Sequence, residues 1–182
     1  MEIRGLRSGD EAAYARYRTD FLQNDADNPY SADIRARLAA DTTLADALDR
    51  ARANLMPDGE WQVPQMDYYL FTDAGNIGGR LALRVTMNPQ LARTGGHLGY
   101  SVPPAERGQG YGERLLDYGL AFFRGREPFI IVSAYAGNAA SRHMIERVGG
   151  VLQAEPGLTS GDEPLCVYHV PVAGQKEEAN RD

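Results

Sequence analysis

The spacing of apolar positions changes along the chain, and each change predicts an element. MEIRGL reads as a short strand. In RSGDEAAYARYRTDFLQ, Tyr14, Tyr17 and Phe21 fall on one helical face, with Ser8 and Glu11 spaced as a capping box. The stretch QNDADNPYSAD is rich in turn formers. Residues 31 to 55 return to the helical period through Ile34, Leu38, Leu44, Leu48, Ala51 and Leu55. Asp41 offers a cap that divides this run, and Pro57 to Gly59 ends it.

The period then shortens to two. QMDYYLFT, the turn DAGN and IGGRLALRVT predict a hairpin, with Ile77, Leu81, Leu83 and Val85 facing inward. HLGYSV predicts another strand, and residues 109 to 124 a helix striped by Leu115, Leu116, Leu120 and Phe123. FIIVSA is apolar almost throughout, as in a strand covered on both faces. Asn138 then caps a helix carrying Met144, Ile145 and Val148, which Gly149 and Gly150 stop. VLQAE and LCVYHVPV supply the last strands. This order predicts a mixed α/β fold: a central sheet of about seven strands with helices on both faces.

Composition narrows the function. The 182 residues carry a net charge of −6, and Lys176 is the only lysine among 19 basic side chains. An acidic chain without a basic run is a poor partner for nucleic acid or an anionic membrane. No apolar run is long enough to span a bilayer, and the first residues lack the apolar segment of a secretion signal. Cys166 is the single cysteine, so no internal disulfide and no thiol metal cluster is expected. These features suggest a cytoplasmic protein.

ERGQGYGERLLDYG carries the main chemical signal, with Gly108, Gly110 and Gly112 at alternate positions where a helix begins. Glycines there let an anion approach the unpaired N–H groups and positive end of the helix, and Arg107 adds a charge. A pyrophosphate fits that donor set. Tight helix packing is the plainer use of such glycines, and Gly119 is a candidate for it. A dinucleotide fingerprint is excluded because Glu113 stands where its last glycine should be; a P-loop is excluded because no lysine is nearby.

Arg107-Gly108-Gln109-Gly110-Tyr111-Gly112, following a strand that ends at Val102 and the prolines Pro103 and Pro104, resembles the [QR]xxGx[GA] signature of the GNAT superfamily of acyl-CoA-dependent N-acyltransferases. FIIVSA, Asn138, Ser141 and Gly149 match the family's next strand and helix. LRVTMNPQLARTGGHLGYSV also resembles a bacterial subgroup with a GGH[IL]GY strand. The resemblance spans residues 1–171 as one domain and leaves 172–182 as a polar tail. It implies that backbone groups around Tyr100 and Val102 pair with the pantetheine arm of acetyl-CoA. It further implies that residues 107 to 112 (Arg107, Gly108, Gln109, Gly110, Tyr111, Gly112) hold the pyrophosphate, with Asn138 and Ser141 beside the cofactor. No metal is implied.

The family places a tyrosine, the general acid for the leaving thiolate, seven residues after the asparagine. Ile145 occupies that position here. Tyr135, near the end of its strand, is the first substitute. His97, at the start of the strand on which relatives carry an acidic base, is the candidate base. His143 and His169 show no partner in the sequence. Asp25, Asp27, Asp33, Asp162 and Glu163 would form an acidic rim favouring a cationic amine. The implied activity is acetyl transfer from acetyl-CoA to a primary amine of a small molecule or peptide, with a homodimer allowed. The alternative is a non-catalytic acyl-CoA sensor that retains the cleft without the acid.

Overall fold

The computed structural model describes residues 1–59, 62–153, 157–160 and 163–172. The chain runs β1 (Glu2–Arg4), α1 (Glu11–Asn24), α2 (Ala32–Ala40), α3 (Leu44–Leu55), β2 (Gln65–Phe71), β3 (Ile77–Arg84) and β4 (Leu98–Ser101). It continues through α4 (Tyr111–Phe123), β5 (Phe129–Tyr135), α5 (Ala139–Arg147), β6 (Val151–Leu152), β7 (Thr159–Ser160) and β8 (Glu163–Pro171). The predicted order holds, and the two-residue β7 is an addition. Asp162 and the tail beyond Val172 lie outside the described residues.

Strands β1-β2-β3-β4 form one antiparallel sheet, and β5-β8-β6 a second, with β7 paired to β8. Strand alternation splits the first sheet between two cores, and the second sheet packs into one of them. Leu81, Leu83 and Leu98 face α4 together with Leu115, Leu116, Ile130, Val132, Ile145 and Tyr168. Tyr69, Phe71 and Ile77 face the other way, onto Tyr14, Tyr17, Phe21 and Leu38 of α1 and α2. The aromatic stripe of α1 packs edge-on there, with Tyr17 against Phe21 at 5.2 Å and against Tyr69 at 5.9 Å.

Several local expectations are corrected. The capping box of Ser8 and Glu11 does not form; α1 starts after Asp10, whose carboxylate instead accepts from Arg4 and the Arg7 N–H. The run 31 to 55 divides into α2 and α3, but the cap is Thr43, which makes a reciprocal box with Asp46. Asp41 is buried and takes the Nε–H of Arg50 at 2.7 Å instead. Val85 lies past the end of β3 and is exposed. Within FIIVSA only alternate residues, Ile130, Val132 and Ala134, are buried, and Phe129, at the strand's start, stacks on His169 near the surface.

Candidate functional site

The two sheets touch at one place and then part. The His97 N–H donates to the Ile131 carbonyl at 2.8 Å, and the Ile131 N–H donates back to His97 Nδ1 at 2.9 Å. Gly96, at φ +68°, makes this contact possible, since a Cβ there would run into the Ile131 carbonyl. Beyond this tie β4 and β5 diverge. The bond from Arg84 N–H to the His97 carbonyl fixes the β3–β4 register. Gly99 and Ser101 therefore pair with β3, while the backbone groups of Leu98, Tyr100 and Val102 point toward β5. Apart from the Val102 carbonyl, which Arg107 reaches, this edge of N–H and C=O groups facing a gap is a template for an extended ligand.

The gap opens into a cleft of about 530 Å³ lined by β4, the α4 turn, Asn138, Ser141 and, on the far wall, Tyr30 and Ile34. That is an ordinary volume for a small-molecule site. At its mouth Gly108 and Gly110 adopt φ +74° and +75°, and nothing lies within 4 Å of where their Cβ atoms would be. No group among the described residues accepts from the N–H groups of residues 108 to 113. Gly110 is the N-cap of α4, so its turn adds the helix's own donors and dipole. The third glycine serves differently: a Cβ on Gly112 would meet Met144 Sδ at 3.0 Å, so this residue brings α4 against α5. Gly119 is likewise a packing glycine, against Leu98.

Arg107 is not a loose cation beside the turn. Its two terminal nitrogens grip the Asp25 carboxylate at 2.9 and 2.6 Å, and its Nε–H reaches the Val102 carbonyl at 3.2 Å. Asp25 is 3% exposed. Burial pushes its carboxyl up, but hydrogen bonds from Arg107, Ser31 and Asn28 outweigh that and hold it below the usual carboxylate range. Arg107 thus anchors the turn to the end of α1, and anion binding falls to the backbone. The same pair removes Asp25 from the expected acidic rim. Gln109 is exposed and does not line the cleft.

Asn138 caps α5 by accepting from the Ser141 N–H at 3.1 Å while lining the cleft. Across from it, the Tyr100 hydroxyl lies 2.9 Å from Ser141 Oγ. Burial raises the Tyr100 pKa, against a smaller opposite effect of Ser141. Ile145, one turn after Ser141, is fully buried. Tyr135 points to the opposite side of the sheet from Tyr100: Ile130, Val132 and Ala134 fill the α4 side, so the odd positions of β5 face the other way, where Ser133 meets Thr94 and Tyr135 meets the segment between α1 and α2. There its ring stacks on Tyr30 at 5.6 Å.

His97 does not suit a base. Its ring is 6% exposed and packs edge-on against Phe123 at 5.3 Å. Burial lowers its pKa, and its one lone pair in the neutral form is the one accepting from Ile131. The sequence reading missed this strand-tying role, because Ile131 is unremarkable in the chain. It also missed Tyr30 as a wall of the cleft, and Asp25, expected in an acidic rim, instead holds Arg107. Among the described residues, no group of His, Cys, Asp or Glu is arranged for a metal, and no helix is long and apolar enough to cross a membrane.

A family model described as "Acetyltransferase (GNAT) family" matches residues 35–150. None of the curated proteins matches. Solved structures share the fold at low identity. A ribosomal-protein-S5-alanine acetyltransferase from Vibrio fischeri superposes with TM-score 0.58 at 14% identity, covering 94% of this chain and 92% of its own. Salmonella typhimurium yncA, solved with acetyl-CoA, gives 0.55 at 19%, covering 100% and 97%. A spermidine N-acetyltransferase SpeG chimera from Vibrio cholerae and hSSAT gives 0.56 at 16%, covering 94% and 96%.

Proposed function

Because the chain belongs to the acetyltransferase (GNAT) family, we propose that its cleft binds acetyl-CoA and directs the acetyl group to a primary amine. The carrying observation is the parting of β4 and β5 beyond His97 and Ile131, which leads a line of backbone groups to the αL glycines at the start of α4. The residues present suit this co-substrate. The N–H groups of residues 108 to 113 form an open cradle for a pyrophosphate, and the Tyr100 and Val102 backbone edge suits the amide-bearing pantetheine arm. Asn138 and Ser141 wall the same passage.

Acetyl-CoA supplies an activated thioester. In the transfer an N–C bond forms, the C–S bond breaks, the amine loses a proton and the sulfur gains one. Tyr100 stands on the α5 side of β4, the side where Ile145 leaves no proton donor, and its phenol is held by Ser141. It suits protonation of the leaving sulfur. Tyr135 and Tyr30, on the α1–α2 side, border the approach of the amine. With Tyr100 as a proton source, Ile145 no longer argues for a sensor without turnover.

Release of CoA thiol from acetyl-CoA in the presence of a panel of amines tests this reading. Amine-dependent release is the expected result. Saturable CoA binding with no release on any amine would leave the sensor in its place.

A further inference from the structure

The sheet face beneath α1 and α2 holds an excess of buried positive charge. Register aligns Tyr69 of β2, Arg80 of β3 and Ser101 of β4 in one row, and Arg84 lies on the same face of β3. Arg37 enters from α2, close to Tyr17, Tyr69 and Asp67. Among the described residues, one carboxylate, Asp67, serves this group. It takes Arg80 Nη2–H at 2.5 Å, with weaker contacts from Asn54 and Gln65. Arg84 donates to the Gly96 carbonyl, and burial together with the nearby Arg80 depresses its pKa.

Four buried side-chain atoms lack a hydrogen-bond partner among the described residues: Tyr17 Oη, Arg37 Nη2, Arg80 Nε and Ser101 Oγ. All four belong to this one group. Burial pushes the Tyr17 pKa up to about 12; the charges of Arg37 and Arg80 pull the other way, as does the Ser101 hydroxyl, which stands near the phenol but outside hydrogen-bonding geometry. Tyr17 is only 2% exposed. Every one of the four atoms can donate, and unsatisfied donors this deep cost stability. A native fold that keeps them together beside the cleft, where Ser101 is part of the wall, calls for an acceptor from outside. Gly99, on the same face between Leu98 and Tyr100, has open space where a Cβ would be, and its partner Ala82 sits between Arg80 and Arg84. Arg84 also lines a cavity of about 320 Å³ that approaches this face from the α3 side.

Resting on the acetyl-transfer reading, we propose that the amine acceptor carries a carboxylate, which Arg80, Arg37, Tyr17 and Ser101 bind while the amino group reaches the gap between β4 and β5. An anion that only accepts hydrogen bonds matches a set in which every atom can donate, and guanidinium groups favour carboxylates. The acceptor is then an amino acid or a similar amino-carboxylate rather than a polycation. The α1–α2 layer must yield to admit it, since the four donors lie below the surface.

The test compares L-α-amino acids and β-alanine with their carboxamides, in CoA-thiol release and in calorimetric titration of the CoA-loaded protein. At least one acid should bind and react roughly 10- to 100-fold better than its amide. Arg37→Gln and Tyr17→Phe should each erase that preference through KM, with CoA affinity unchanged. Tyr17→Phe should not lower the thermal midpoint of the free protein, since it removes an unpaired hydroxyl. Acids that bind over amides without thiol release would uphold the carboxylate site and sink acetyl transfer. Equal use of amides, or a preference for diamines, would overturn the carboxylate site and leave acetyl transfer standing. Absence of any acid binding overturns the site as well.

Discussion

Arg107 and Asp25 stand 82 positions apart and form a two-pronged ion pair that fastens the glycine turn to the end of α1. The arginine side chain is 43% exposed and the aspartate 3%. Removing the arginine strands a buried carboxylate, whereas removing the aspartate leaves a cation that water can still reach.

Arg107→Ala should therefore destabilise the fold by about 2 kcal/mol, discounted for the exposure of the arginine. Asp25→Ala should release the guanidinium beside the cradle and raise affinity for CoA more than for pantetheine, with the gain disappearing in high salt. Urea denaturation and calorimetric titration read the two effects. A loss of CoA affinity in Asp25→Ala would show that the pair itself shapes the turn.

The cradle is tested without breaking its backbone. Gly110→Asn places a side chain where the phosphates are expected but tolerates the left-handed conformation better than other residues. Its thermal midpoint should stay near that of the wild type while CoA affinity falls by about tenfold or more. Unchanged CoA affinity in the folded variant would remove the α4 turn from the site.

The side of the sheet on which each tyrosine lies separates their roles. Tyr100→Phe should lower kcat by about 10²-fold, the low end for general-acid help because a thiolate leaves readily. Tyr135→Phe should act on KM for the amine instead. The opposite pattern would return the acid to β5.

His97 makes a prediction for stability against pH. Its pKa is lowered in the folded protein by burial, so below its unfolded value of about 6.5 the unfolded chain binds the proton more readily. The stabilisation is complete above that value and is lost progressively as the pH falls from it through the lower folded pKa. His97→Asn keeps an acceptor for the Ile131 N–H without titrating. The urea midpoint of the wild type should fall more than that of the variant between about pH 7.5 and about pH 5. Parallel curves would mean that His97 does not carry this dependence.

The sequence by itself determined the elements and the turn. Periods of 3.6 and 2 state which face of each segment is buried, so α1, α4, the β2–β3 hairpin and β5 were legible from Tyr14, Leu115, Leu81 and Ile130. Gly108 and Gly110 marked a turn that leaves backbone N–H groups open to an anion, and Asn138 marked a cap. These are local properties, set within one turn of helix or one pair of strands. Tertiary structure alone decided what distant side chains meet. Arg107 read as a phosphate ligand until the end of α1 brought Asp25 to it, and His97 read as a base until the sheets met at Ile131. Gly112 looked like its two neighbours until α5 set Met144 against it. Arg37, Arg80 and Arg84 are ordinary charges along the chain. Alternation along β3 puts Arg80 and Arg84 on one face, but only the crossing of α2 brings Arg37 to them.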